Sequence, residues 1–332
     1  MKKILLILLI PILLLAEQVL VTIPRGASVG KISNILKEQK LIKNTFLFKV
    51  TVKLMKKENN FSYGHFYVET ESSMKEIIQQ LQNPQNLATV KITIPEGKNI
   101  FQIDKILKES GIINKNEFIK FVSNKKKFQD IINSNPYLKK DAELKNLEGF
   151  LFPDTYKLPI DITVKKIVQT MFNNFNKKVL PIYEQAKKAN KLPKRLGKTL
   201  SFYKLISLAS IVELEAVNPK ERPIIASVFL NRMNRRMILG SCPTVKYAMI
   251  LQGKPWPKKL LYKDTEIESD YNTYKNSGLP PSPIASLGLA SIKAVLNPAK
   301  TNYLYFVSKL DGTHHFSKTE QEHNYWKRKL LD

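Results

Sequence analysis

LISLASIVELEAVNPKERPIIASVFLNRM (205–233) is the stretch that decides how this chain folds. Leu205 to Val217 is apolar apart from two serines and two carboxylates, Glu213 and Glu215. Asn218-Pro219-Lys220-Glu221 then reads as a helix start, with Asn as N-cap, Pro at the first helical position and Glu three residues on. The pattern predicts a buried helix, a tight turn and a second helix ending near Asn234. Glu213 and Glu215 stand two residues apart, roughly 200° around a helix, so they do not share a face. A carboxyl held against apolar walls has its pKa raised, which suits a general acid near neutral pH. A Glu at the solvent edge of an amphipathic helix is the plainer alternative, and periodicity does not choose between them.

Working outward, 332 residues allow two or three domains. The formal net charge of +26 is the unusual number. Such an excess fits nucleic acid, an anionic membrane surface or an anionic polymer. Only seven of the 54 basic residues are Arg. Base and phosphate recognition favours Arg interleaved with aromatics, and no such stripe is present, so no nucleic-acid partner is expected. The single cysteine, Cys242, excludes an internal disulfide. His65, His314, His315 and His323 show no metal-protease spacing to a carboxylate, so neither a metal nor any other cofactor is expected.

Met1-Lys2-Lys3 precedes an unbroken apolar run, Ile4 to Ala16. Thirteen residues span about 20 Å as a helix, short for a bilayer and apt for a signal-peptide core. The small-x-small cleavage pattern is missing before Glu17, so a cleaved signal peptide and an uncleaved anchor over 1–20, with Val19–Ile23 helping at the far interface, both stay open. Either way the remainder is expected to be exported.

Residues 21–50 and 92–121 resemble each other. VTIPRG (21–26) answers ITIPEG (92–97), and ILKE recurs at 35–38 and 106–109. Each copy reads as a short strand, a helix, a turn and a second helix. Gly64–Val68 reads as a strand and Ser73–Leu81 as a helix. The expected class is α+β. The Lys- and Asn-rich 123–147 reads as an exposed connection with some helix. LEGFLFPDTY (147–156) reads either as a rigid aromatic platform of the kind sugars stack on or as an ordinary mini-core. Helices are expected over 162–190 and 200–234, and a loop entering another helix over 241–248. A long Pro-stiffened loop should carry Tyr271, Asn272, Tyr274 and Gly278-Leu279-Pro280-Pro281. Leu289–Leu296 reads as a helix and Tyr303–Val307 as a strand. Asp311-Gly312 signals a hairpin turn, His314–Phe316 the return strand, and Glu322-His323-Asn324 the start of the last helix.

Eight segments in this order resemble the MltG (YceG-like) family of endolytic murein transglycosylases. They are EGFLFPDTY (148–156), ASIVELEA (209–216), ASVFLNR (226–232), PTVKY (243–247), YNTY (271–274), GLPP (278–281), YLYFV (303–307) and EHN (322–324). The resemblance implies a membrane anchor over 1–20, LysM-like modules over 21–90 and 91–145, and an α-rich lysozyme-like catalytic domain over 146–332. It implies a single-pass protein of the cytoplasmic (inner) membrane whose catalytic part lies outside, with peptidoglycan strands as substrate and peptidoglycan synthases as partners. The family's catalytic acid matches Glu215, which leaves Glu213 for a supporting role. Cleavage would occur between MurNAc and GlcNAc without water, leaving a 1,6-anhydro end. Glycosidases otherwise use a carboxylate pair about 5–5.5 Å or about 6.5–9.5 Å apart. An internal nucleophile needs only one such group. Asn231, Tyr271, Asn272 and Tyr274 are the candidates for holding the substrate, with His314 either a further one or a structural histidine. The chain departs from the family pattern at Cys242, where Asp is usual before Pro-Thr-Val, and at Ser282 and Leu287, where Gly and Pro are usual. A non-catalytic peptidoglycan-binding scaffold is the alternative function.

Overall fold

The computed structural model describes residues 17–331, apart from 115, 140, 258 and 259. The apolar run Ile4–Ala16 lies outside the described residues. Among those described, no helix is long and apolar enough to cross a membrane. Among the described residues the fold is mixed helix and sheet, with four two-stranded sheets. It divides into two compact units, one of 17–90 with Lys157–Asp161 and one of Lys91–Tyr156 with 162–331.

The first unit begins with β1 (Gln18–Ile23), followed by α1 (Val29–Glu38), α2 (Thr45–Leu54), β2 (Gly64–Glu69) and α3 (Met74–Gln82). Val19–Ile23, expected at a membrane interface, instead pair antiparallel with β2, Val21 opposite Phe66. The reason is alternation: Val21 and Ile23 point into a core with Ile32, Leu36, Phe48, Val52 and Phe66. Each helix is started by a side chain. Ser28 accepts from Lys31 N, Asn44 from Phe46 N, and Ser73 forms a capping box with Glu76.

β3 (Thr89–Thr93) leads into the second unit, where α4 (Ile100–Glu109), α5 (Glu117–Val122) and α6 (Lys125–Ile132) follow. Strand, helix and second helix thus recur at both copies of the internal repeat. The 123–147 stretch is less exposed than its composition suggests. Phe128, Ile131 and Ile132 are buried because the lysines, Gln129 and Asp130 of α6 occupy its other face, and Leu138 and Leu144 beyond it are buried as well. β4 (Thr155–Pro159), which the sequence reading did not anticipate, pairs with β3. The aromatic residues before it are core, not a platform: Phe150, Phe152 and Tyr156 are buried, and Phe150 stacks on Tyr203 at 5.6 Å.

After α7 (Val164–Lys188) and the short hairpin β5 (Lys194–Arg195) and β6 (Lys198–Thr199) comes α8 (Phe202–Glu215). Ser201 caps α8, and residues 205–213 are buried without a break, the signature of a helix surrounded by protein. It packs against α9 (Arg222–Asn234), α10 (Cys242–Leu251) and α11 (Leu289–Leu296). Asn218 caps a 3-10 turn over Pro219–Glu221 rather than α9 itself, and that turn bends the chain back. β7 (Tyr305–Ser308) and β8 (His314–Ser317) form the expected hairpin, and α12 (Glu320–Leu331) closes the chain.

Candidate active site

The two carboxylates of α8 face different surroundings, as their spacing requires. Glu213 is tied down twice: its Oε1 accepts from Arg222 Nη2 at 2.9 Å and its Oε2 from the Gly288 backbone N–H at 2.9 Å. Both ion-pair partners are nearly buried. A charge so placed would be expensive without these donors, and with them it pins α8 to the start of α9 and α11.

Glu215, the last residue of α8, faces a cavity of about 590 Å³. Arg232, Tyr274, Tyr305, His314 and His323 line it as well, with Cys242, Glu320 and Lys327. Glu215 as a residue is half-buried, but its carboxyl group is walled in by protein. That loss of solvent raises its pKa above the usual carboxylate range. Ser241 Oγ donates to Oε1 at 2.6 Å and pulls the other way, as do His314, Lys246 and Arg232 at longer range. Desolvation outweighs them.

Ser241 owes its aim to neighbours. Its N–H donates to Thr273 Oγ1 at 3.0 Å, its carbonyl accepts from Thr244 Oγ1 at 2.7 Å, and the two threonines bond each other at 2.8 Å. This buried hydroxyl network fixes Ser241 as a hydrogen-bond donor to Glu215. Ser241 falls within the loop read over 241–248, and nothing local marks it for a role, since its partner lies 26 positions away.

The opposite wall is built by Arg232. Its Nε donates to Leu304 O and its Nη1 to Leu239 O at 2.7 Å, and its guanidinium sits 5.0 Å above the Tyr305 ring. His323 stacks on that ring from another side at 5.3 Å. Burial, then Arg232 and Lys327, lowers the His323 pKa, which favours the neutral imidazole. His314 Nδ1 lies 2.7 Å from Glu221 Oε2, and its backbone N–H donates to Oε1 of the same carboxylate.

Of the residues singled out in the sequence, Glu215, Tyr274 and His314 share this cavity. Asn231, Tyr271 and Asn272 do not line it. Asn231 Nδ2 holds the carbonyls of Thr301 and Tyr303, fixing the approach to β7. Asn272 is fully buried and braces its own loop through Thr265 O and Ile267 O. Tyr271 OH bonds Ser282 Oγ at 2.8 Å. Cys242 Sγ contacts Tyr274 OH at 3.2 Å, so the chain presents a thiol to a phenol at the cavity wall. Cys242 is exposed, yet the walls beside its sulfur, and then Glu215, push the thiol pKa up. Among the described residues no three His, Cys, Asp or Glu side chains are grouped to hold a metal.

Comparison with known proteins agrees across three levels. The profile of the YceG-like family matches residues 21–329. A protein of Bacillus subtilis (strain 168) named endolytic murein transglycosylase is 37% identical over 94% of this chain and 84% of its own length. One of the same name from Streptococcus pneumoniae (strain D39) is 30% identical over 93% of this chain, which spans only 57% of that longer protein. A crystal structure of a yceG-like protein from Listeria monocytogenes superposes with a TM-score of 0.63 at 32% identity, covering 93% of this chain and 98% of that one.

Proposed function

The chain belongs to the YceG-like family, and from that premise we propose that it is a lytic transglycosylase of peptidoglycan in which Glu215 carries the proton. The observation that supports this most is the pairing of a desolvated carboxyl with a cavity within the roughly 300–1,000 Å³ typical of small-ligand sites. With its pKa raised, Glu215 holds a proton at a pH where an ordinary carboxyl has lost it. It donates that proton to the glycosidic oxygen as the C1–O bond of MurNAc breaks, and GlcNAc leaves as the free alcohol. The carboxylate then takes the proton of the MurNAc 6-hydroxyl as O6 bonds to C1. No water is consumed, the acid is regenerated, and the product is a 1,6-anhydro end. Ser241, donating to Oε1, leaves Oε2 as the oxygen for proton exchange. Tyr274 and Arg232 supply the polar and cationic lining against which the positively charged sugar ring and the departing oxygen are held.

One observation favours a second reading. Glu320, exposed at the head of α12, also lines the cavity, and two carboxylates could serve a hydrolase. Product analysis separates the two. Digestion of purified sacculi in ¹⁸O-water should give anhydro-MurNAc ends without label. Labelled reducing ends would establish the hydrolase instead, and no cleavage at all would favour a binding scaffold. Glu215→Gln should lower anhydro-end formation about 10²–10⁴-fold, the usual range for loss of a general acid-base group. Glu213→Gln should act chiefly through stability.

The same reading extends to location. Lys2-Lys3 followed by the Ile4–Ala16 run suits a single-pass anchor in the cytoplasmic membrane, with the cavity on the outer side where peptidoglycan lies. The repeated strand-helix-helix segments suit LysM-like glycan binding. Peptidoglycan synthases are the partners this placement suggests.

A further inference from the structure

A second cleft in the same unit, about 330 Å³, has no place in the chemistry above. Arg195 of β5, Lys145, Ser207 of α8 and Gly278 line it, with Met233 and Leu200 as an apolar wall. Its polar groups are unusually idle. The Arg195 backbone pairs with Lys198 in the hairpin, but its buried side-chain Nε is without an acceptor among the described residues. Ser207 is 1% exposed, and its Oγ is unpartnered too, although a helical serine ordinarily turns back to a carbonyl of the preceding turn. Of the other lining groups, Lys204 and the Glu143 carboxylate neutralise each other at 3.1 Å, and Tyr203 OH donates to Pro281 O at 3.2 Å. Gly278, at φ +93°, leaves room for the guanidinium: a Cβ there would stand 3.2 Å from Arg195 Nη1. A buried Nε–H and a buried hydroxyl left unmade each cost free energy unless something occupies the cleft.

We propose that this cleft is an anion subsite that takes a carboxylate of the peptide stem carried by the glycan, with Arg195 and Ser207 as its donors. The assignment of the stem rests on the peptidoglycan reading of the Glu215 cavity; the anion chemistry does not. Guanidinium is the group best shaped for bidentate capture of a carboxylate. The location fits. Ser207 and Glu215 lie on one helix, about 12 Å apart along its axis. An extended stem of three or four residues reaches roughly 10–14 Å. The two cavities also share α8, α9 and one loop among their walls, since Arg232 and Met233 are neighbours on α9 and Tyr274 and Ser277 lie on that loop.

The test is binding to the full chain carrying Glu215→Gln, which leaves the polymer intact. Glycan oligomers bearing stems are compared with the same oligomers stripped by an amidase, and a free stem tetrapeptide with its fully amidated form. Stem-bearing oligomers should bind about tenfold tighter than stripped ones, and adding Arg195→Gln should bring that ratio near one. Ser207→Ala, a smaller change in a buried site, should reduce it two- to fivefold. The amidated peptide should bind at least tenfold more weakly than the acid. An unchanged ratio in both variants, with their melting temperatures preserved, overturns the proposal. So does equal binding of acid and amide. Inorganic phosphate binding as tightly as the peptide would make this a free-phosphate site and overturn the stem assignment. If neither oligomer binds while the free peptide does, and Arg195→Gln abolishes it, the glycan reading fails and the subsite stands.

Discussion

Glu148 and Glu215 both carry raised pKa values, for opposite ends. Glu148 is fully buried, its Oε2 accepts from Ile100 N–H and Tyr247 OH, and burial pushes it up to about 8. It faces no described cavity and serves as a neutral acid that joins α4 to α10. An acid raised from 4.5 to about 8 on folding binds more protons folded than unfolded across that window. Stability from this group is therefore complete below about pH 4.5 and falls as pH rises towards 8, by on the order of 4 kcal/mol. Glu148→Gln keeps the acceptor and removes the titration, so its stability should be flat where the wild type declines. Urea unfolding at pH 5, 6.5 and 8 reads this directly, and parallel slopes for the two proteins would show the assignment to be wrong. Glu215 differs by having one donor and an open front. Removing that donor with Ser241→Ala takes away a bond that favours the carboxylate. The Glu215 pKa then rises further, and the alkaline limb of the pH–rate profile moves to higher pH while the maximal rate falls several-fold. A profile that keeps its limb and merely loses height would mean Ser241 acts on shape alone.

At the scale of elements, the corner from α8 to α9 is where sequence and structure agree best, and why is instructive. Helix periodicity is local, so the opposed faces of Glu213 and Glu215 could be read from two residues' spacing. Their partners could not, because Ser241 and Gly288 lie 26 and 75 positions away. The same limit explains the aromatic run at 148–156. Its composition suits both a sugar platform and a core, and only the packing of Phe150 on Tyr203 and Phe202 decides for the core. Strand β4 was illegible because its partner, β3, is some sixty residues back and each strand alone is five residues long. Asn231 and Asn272 show a further trap: amides beside a cleft read like ligand contacts, yet buried amides are also the usual braces for loop carbonyls. Gly288 gives the testable case. A Cβ there would run into the Glu96 carboxyl, while its N–H holds Glu213. Gly288→Ala should lower stability only slightly, by less than about 1 kcal/mol in thermal melting, because what it meets is the far end of the exposed Glu96 side chain, which can swing aside. Pairing it with Glu96→Ala, which vacates the space, should recover most of that loss. Failure of the double variant to recover would place the strain elsewhere.

At the scale of the molecule, the internal repeat predicted two similar modules, and strand-helix-helix segments occur at both copies. What repetition did not reveal is their different company. The first copy makes a core of its own with β2 and α3, whereas the second shares a unit with the helices that carry Glu215. Similar sequence fixes similar elements; the burial each needs is found with whatever the chain supplies next. Two units with separate cores should melt as two cooperative steps. Phe66 is wholly buried in the first core and Phe175 almost so in the second, where it packs edge-on to Phe150. Truncating either to Ala removes about 3–5 kcal/mol from the unit it serves. Calorimetry of the full chain should then show Phe66→Ala lowering one transition and Phe175→Ala the other, each leaving its counterpart within a degree or two. The crossing of the boundary at Lys157–Asp161 makes this a stringent case, since that segment belongs to the first unit by contact and to the second by sequence. A single transition displaced by both substitutions would mean that the shared strand pair makes the two cores fold as one.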